Sequence, residues 1–240
     1  MKVVIDSRFS DQTDFLCRIP QMMAAGEGET FFKRRNTVAR FREGGHVFIA
    51  KRYKRVNFVQ QIAYTFFRKT KAERAYLYTA EYQRRGIDVP ERVAYMEQSR
   101  YGLFSLGHYV SLEVAGMDVH PLLRDVEVFD RELADAVAAH IVLMHSRGIL
   151  HGDLNLSNFL CRKEDDGWHF TVIDLNRTRF HDGTPPDGLC LKNLVRMTHR
   201  RDLYEYIVST YAKLRGWQVE STVCEAVKLL DKFENKKRFF

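Results

Sequence analysis

Several things are scarce in this 240-residue chain, and each scarcity excludes something. Four cysteines, Cys17, Cys161, Cys190 and Cys224, lie far apart with no C-x-x-C pair. That excludes a disulfide scaffold and a zinc ribbon, and predicts reduced thiols. Five prolines exclude a proline-rich or collagen-like fibre. No apolar run approaches the length of a membrane span, because Asp135 and His140 interrupt the longest one, Ala134 to Met144. The first residues, MKVVIDSRFSDQTDF, lack the apolar core of a signal peptide, so the expected setting is the cytoplasm. Among nine histidines there is no H-E-x-x-H. A G-x-G-x-x-G phosphate loop is also missing; Gly26-Glu27-Gly28 reads as a plain turn before a first strand.

What is present is an apolar share of 45%, enough for a substantial core, and a net charge of +7. The charge is concentrated. Between Phe31 and Arg74 thirteen Lys and Arg face only Glu43 and Glu73, a surplus of 11 that exceeds the whole-chain figure. The partner it attracts is anionic. No nucleic-acid recognition motif accompanies it, so phosphate or a polyanionic surface is preferred over nucleic acid.

The first half alternates strands and helices. Thr30 to Phe32, Thr37 to Phe41, Val47 to Ala50, Val93 to Met96 and Tyr109 to Val114 read as strands, and Lys69 to Arg85 as a helix. The second half is helical over Arg131 to Ser146, Leu194 to Ala212 and Thr222 to Phe233, with a hairpin between Leu160 and Thr171. The expected class is α+β with two lobes, a strand-rich N-lobe over 1–113 and a helical C-lobe over 114–240.

The densest chemistry lies in His151-Gly152-Asp153-Leu154-Asn155-Leu156-Ser157-Asn158, followed by Val172-Ile173-Asp174. Phosphoryl transfer asks for oxygen ligands that hold magnesium against phosphates, and for a carboxylate that takes the acceptor's proton. Asp153, Asn158 and Asp174 make such a set. The pattern resembles the catalytic loop H-R-D-x-x-x-x-N of the protein-kinase fold, with Asp174 at the D-F-G aspartate. The resemblance implies Asp153 as base, Asn158 and Asp174 as metal ligands and His151 as the residue that orders the loop. Gly152 stands where protein kinases carry Arg, and is similar to the H-G-D form of small-molecule and sugar kinases. Leu175-Asn176 replaces Phe-Gly, and no A-P-E follows.

Val47-Phe48-Ile49-Ala50-Lys51 resembles the V-A-I-K strand, which implies that Lys51 grips nucleotide phosphates. Glu73 is the expected carboxylate partner on the helix, with Glu81 as the rival. The turn Lys33 to Asn36, including Arg35 and Asn36, is expected to cover the phosphates.

A closer resemblance runs from about residue 30 to 215. Arg35-Asn36, Phe66-Phe67-Arg68-Lys69-Thr70-Lys71-Ala72-Glu73, Gly86-Ile87-Asp88-Val89-Pro90-Glu91, His151 to Leu160, and Asn193-Leu194-Val195-Arg196 with Arg200-Arg201-Asp202-Leu203 are similar to the bacterial lipopolysaccharide core kinases, which act on Kdo and heptose. Membership implies ATP with Mg2+, or Mn2+ in its place, and an anionic glycolipid acceptor, the lipid A–core oligosaccharide, met peripherally at the inner-membrane surface. The competing expectations are a protein Ser/Thr kinase or another small-molecule kinase of the same fold, and a non-catalytic glycolipid-binding module.

Overall fold

The computed structural model describes residues 1–33 and 36–238, the side chains of 33 and 236–238 excepted. Arg34 and Arg35 of the expected phosphate turn, and the C-terminal cations Lys236, Lys237 and Arg238, therefore lie outside the described side chains. The chain divides into two compact units, Met1–Val114 and Ala115–Phe240.

The first unit holds β1 (Lys2–Ile5), α1 (Thr13–Ala25), β2 (Glu29–Lys33), β3 (Thr37–Glu43), β4 (His46–Arg52), α2 (Phe58–Ile62), a π-helical turn over Ala63–Phe67, α3 (Lys71–Arg84), β5 (Arg92–Arg100) and β6 (Leu103–Leu112). Its six strands form an antiparallel sheet in the order β1-β5-β6-β4-β3-β2. Alternation along the strands gives the sheet two apolar faces. On one, Phe15, Leu16, Ile19 and Met23 of α1 pack on Phe41, Phe48, Ala50, Met96 and Val110. On the other, Ala72 and Tyr76 of α3 meet Tyr53 and Tyr95.

Sequence periodicity passed over β1 and α1. The Lys2–Ile5 strand is only four residues long, and α1 begins at Gln12 without a side-chain cap and contains Pro20, so its start signal is missing and its interior carries a breaker. Gly26 is the C-cap of α1, with φ 81° and its N–H on the Met22 carbonyl, rather than a turn before a first strand.

The second unit holds β7 (Met117–Asp118), α4 (Val119–Arg124), α5 (Arg131–Ser146), β8 (Ile149–Leu150), β9 (Phe159–Glu164), β10 (Gly167–Val172), β11 (Arg179–Phe180), α6 (Asp187–Leu194), α7 (Arg201–Arg215) and α8 (Val219–Arg238). In α5 the Asp130 carboxylate caps the N–H groups of Glu132 and Leu133. Leu133, Val137, Ile141 and Met144 recur at helical spacing and are buried, each worth roughly 1.5–3 kcal/mol of transfer free energy. The expected single helix from Leu194 to Ala212 is two helices. Between them Met197 is buried and its carbonyl accepts the Leu156 N–H (3.2 Å), while Arg200 is extended and donates to the carbonyls of Leu123 and Glu127. The Met197 carbonyl is thereby taken from the helical ladder, and the extended backbone of Arg200 breaks it. No helix among the described residues is long and apolar enough to cross a membrane.

Candidate functional site

The second unit gathers His151, Asp153, Asn158 and Asp174 around two turns. The β9–β10 hairpin does the assembly: Phe159 pairs with Val172, so Asn158 and Ile173 stand side by side at its open end. There the Ile173 N–H donates to the Asn158 carbonyl (2.9 Å). The Asn158 amide in turn donates to the Asp153 carbonyl (2.7 Å). The five-residue step from Asp153 to Asn158 is thereby closed into one hydrogen-bonded turn. The Asn158 side-chain oxygen takes no hydrogen bond among the described residues, and it is an oxygen donor of the kind magnesium accepts.

His151 is buried beneath this turn, 1% exposed. The Asp153 N–H donates to its Nδ1 (3.3 Å), so its Nε2 carries the proton and donates to the Ile173 carbonyl (3.1 Å). Burial lowers its pKa, which keeps one donor and one acceptor on the ring. The imidazole thus ties the segment before Asp153 to the segment before Asp174.

Asp174 has left-handed backbone, φ 59° and ψ 49°, a conformation a non-glycine residue adopts at a cost. Asn176, itself buried, donates to one carboxylate oxygen of Asp174. The residues written where protein kinases have Phe-Gly therefore fix the aspartate in place.

Around Asp153 the structure adds two cations that the motif did not name. The Arg177 guanidinium lies 3.4 Å from the carboxylate and that of Arg196 3.9 Å. Behind the turn runs a directed hydrogen-bond chain. Arg215 donates to the Tyr211 hydroxyl (2.9 Å), which donates to His145 Nδ1 (2.8 Å); His145 Nε2 donates to the Asn193 oxygen (3.1 Å), and the Asn193 amide donates to the His151 carbonyl (2.8 Å). Asn193 was visible in the sequence only as part of a family resemblance. His145, in the last turn of α5, is the link that orients it.

In the first unit Lys51 pairs with Tyr109 across β4 and β6. The Tyr109 hydroxyl reaches Thr79 of α3 (3.0 Å), so Lys51 lies on the sheet face that α3 covers. Thr70 caps α3 through the Glu73 N–H (3.1 Å). The Glu73 carboxylate has Lys2 (3.9 Å) and Lys69 (3.7 Å) as its ion partners among the described residues. Lys2 stands on β1, and β5 and β6 lie between that strand and β4. Glu81 is committed to Arg84 and Arg85, which hold its carboxyl down at about 2. Asn36 accepts the Lys54 N–H (3.2 Å) and joins the start of β3 to the chain leaving β4.

One group with metal-ligand spacing occurs among the described residues, Glu164, Asp166 and His169, at the turn end of the β9–β10 hairpin. His169 is already hydrogen-bonded to Asp166 (2.7 Å) and Glu164 to Arg162, as an exposed surface cluster.

Comparison with known proteins bears on the family and the fold. The model of the lipopolysaccharide kinase (Kdo/WaaP) family matches residues 24–211. A solved structure of WaaP in complex with acyl carrier protein superposes with a TM-score of 0.62 at 19% identity, over 98% of both chains. A crystal structure of WbdD gives 0.51 at 13% identity, over 82% of this chain and 48% of that one. No curated protein sequence matches. The fold is the protein-kinase-like one.

Proposed function

The chain belongs to the lipopolysaccharide kinase (Kdo/WaaP) family and is a phosphotransferase, and from that premise we propose that it moves the γ-phosphoryl group of ATP to a sugar hydroxyl, on Kdo or heptose, of the lipopolysaccharide inner core. The observation that carries the proposal is the closed turn in which Asn158 bonds Asp153 and Ile173 bonds Asn158, because it ties Asp153, Asn158 and the strand that leads into Asp174 to one another within the second unit.

In this reading the Asp153 carboxylate, about one-third exposed, takes the proton of the attacking hydroxyl. Arg177 and Arg196 stand beside it, where negative charge gathers on the transferring group. His151 does no proton transfer; buried and neutral, it holds the two segments in register. The Asn158 oxygen and the Asp174 carboxylate suit a hard cation, and Mg2+, or Mn2+ in its place, is assigned to them. Such an ion neutralises phosphate charge during transfer. Lys51 is assigned to the nucleotide phosphates, with Arg35 and Asn36 at the turn that covers them. Glu73 is the helix carboxylate on the same sheet face as Lys51, and Glu81, held by two arginines, is not in a position to replace it.

The acceptor assignment is supported by the family match and by the positive surplus between residues 31 and 74, which suits a phosphorylated glycolipid at the cytoplasmic face of the inner membrane. The test is product analysis. Incubation with ATP, magnesium and purified lipid A–core should add a phosphoryl group that fragmentation locates on a Kdo or heptose hydroxyl. Transfer to protein alone, with the glycolipid unchanged, would make it a protein kinase of the same fold.

A further inference from the structure

Between β4 and α3 the chain runs through α2 and the π-helical turn Ala63–Phe67, and no residue of either is buried. The segment presents four large apolar side chains to solvent. Phe58 is 65% exposed, Val59 74%, Phe66 67% and Phe67 79%. Thr65, by contrast, is turned to the fold: its hydroxyl accepts the Phe104 N–H (2.9 Å) and donates to the Gln61 carbonyl (2.7 Å). A helical segment this short gains little from its own hydrogen bonds and normally persists by burying an apolar face. Here Thr65 and the Tyr64 ring, edge-on to Phe104 (5.5 Å), anchor the segment, and four large apolar side chains are left facing outward.

The surrounding charge says what covers it. Lys54 and Arg55 precede the segment and Arg68 and Lys69 follow it, all exposed. Lys54, Arg55 and Arg68 form no ion pair among the described residues, and no Asp or Glu occurs from Gly44 to Ala72. A second copy of the chain docked on this patch would set cation against cation. Apolar side chains between flanking cations fit a segment that lies in the interface of an anionic membrane.

We infer that residues 54–69 are a membrane-docking segment, with Phe58, Val59, Phe66 and Phe67 entering the headgroup–acyl boundary and Lys54, Arg55, Arg68 and Lys69 meeting anionic phospholipid headgroups. This rests on the reading above only in that the acceptor is a membrane glycolipid. It gives the kinase a way to meet that acceptor in the plane of the bilayer.

The experiment is flotation of the full chain with vesicles of phosphatidylglycerol and phosphatidylethanolamine, against phosphatidylcholine vesicles, with no ATP or acceptor present. The wild-type protein should float with the anionic vesicles and less so as salt is raised. The double variant Phe66→Ser, Phe67→Ser should bind on the order of tenfold or more weakly. Its thermal midpoint should be unchanged because both side chains face solvent, and so should its phosphorylation of a deacylated, water-soluble core. Wild-type protein that ignores anionic vesicles, or a double variant that floats as well as wild type, overturns the inference. So does capture of an acidic protein through Phe66 and Phe67 without any vesicle binding. Because binding is read without catalysis, it can stand if the acceptor assignment falls.

Discussion

A Cβ placed on residue 152 would stand 2.3 Å from the backbone carbonyl oxygen of Arg177. Only glycine lets the segment before Asp153 pass this close to the segment after Asp174. The same crossing puts the Arg177 guanidinium on the Asp153 carboxylate. The arginine that protein kinases write next to their catalytic aspartate is thus absent from position 152, and position 177 supplies one from across the turn. Gly152→Ala has to push two stretches of backbone apart, so it should lower kcat at least about tenfold, with a smaller effect on the KM for ATP. Steady-state kinetics on the folded variant check this; an unchanged kcat would mean that the crossing is not required.

Arg177 itself touches the proposed base. Arg177→Met should lower kcat by roughly 10- to 100-fold, and Arg177→Lys should recover part of the loss, since charge is kept and the planar fork is not. A purely structural role would show instead as a lowered melting temperature with kcat intact.

Asn193 joins His145 to the His151 carbonyl inside the second unit. Removing it leaves the buried His151 carbonyl and the Nε2–H of the buried His145 ring without partners. Asn193→Ala should therefore cost roughly 1–3 kcal/mol of stability, read by chemical denaturation, and should also lower kcat because the turn before Asp153 loses its anchor. Loss of stability without loss of kcat would confine Asn193 to folding.

Buried histidines and arginine-held carboxyls set the acid side of the stability curve. Burial pushes His108, His140 and His145 down to about 4 in the folded protein. In the unfolded chain they bind protons near pH 6.5, so the unfolded state takes up more protons as pH falls, and stability should decline from about pH 6.5 towards 4. Asp6 is held at about 2 by Arg8, with Arg92 also bonded. A depressed carboxyl stabilises the fold above its unfolded pKa near 4, and that contribution, about 2 kcal/mol, should disappear as pH falls from 4 towards 2. Denaturation midpoints across this range should show two successive losses. Asp6→Asn should reduce the lower one, which Glu81 shares, and His145→Gln should reduce the upper.

The core of the site was legible because its parts are consecutive. His151 to Asn158 and Val172 to Asp174 are short runs whose spacing survives folding, and the hairpin between them follows from alternation and a turn. The place of Lys51 on its strand was readable for the same reason, at the end of an apolar run. What escaped depends on contacts between distant stretches. Gly152 and Arg177 meet only because β8 pairs with β11. His145 becomes part of the site only through Asn193, and Glu73 was assigned by helical face alone, which does not reveal that Lys2 of β1 stands beside it. Phe66 and Phe67 could be read from the sequence only as part of a family resemblance, because their exposure is a property of the folded chain.

The central claim is that Asp153 is the base for phosphoryl transfer. The most direct measurement compares ATP-dependent phosphorylation of purified lipid A–core by the wild-type protein and by Asp153→Asn, which keeps the shape of the side chain and removes its basicity. The account predicts a fall in rate on the order of 100-fold or more, with nucleotide binding retained. Equal rates for the two proteins would contradict it.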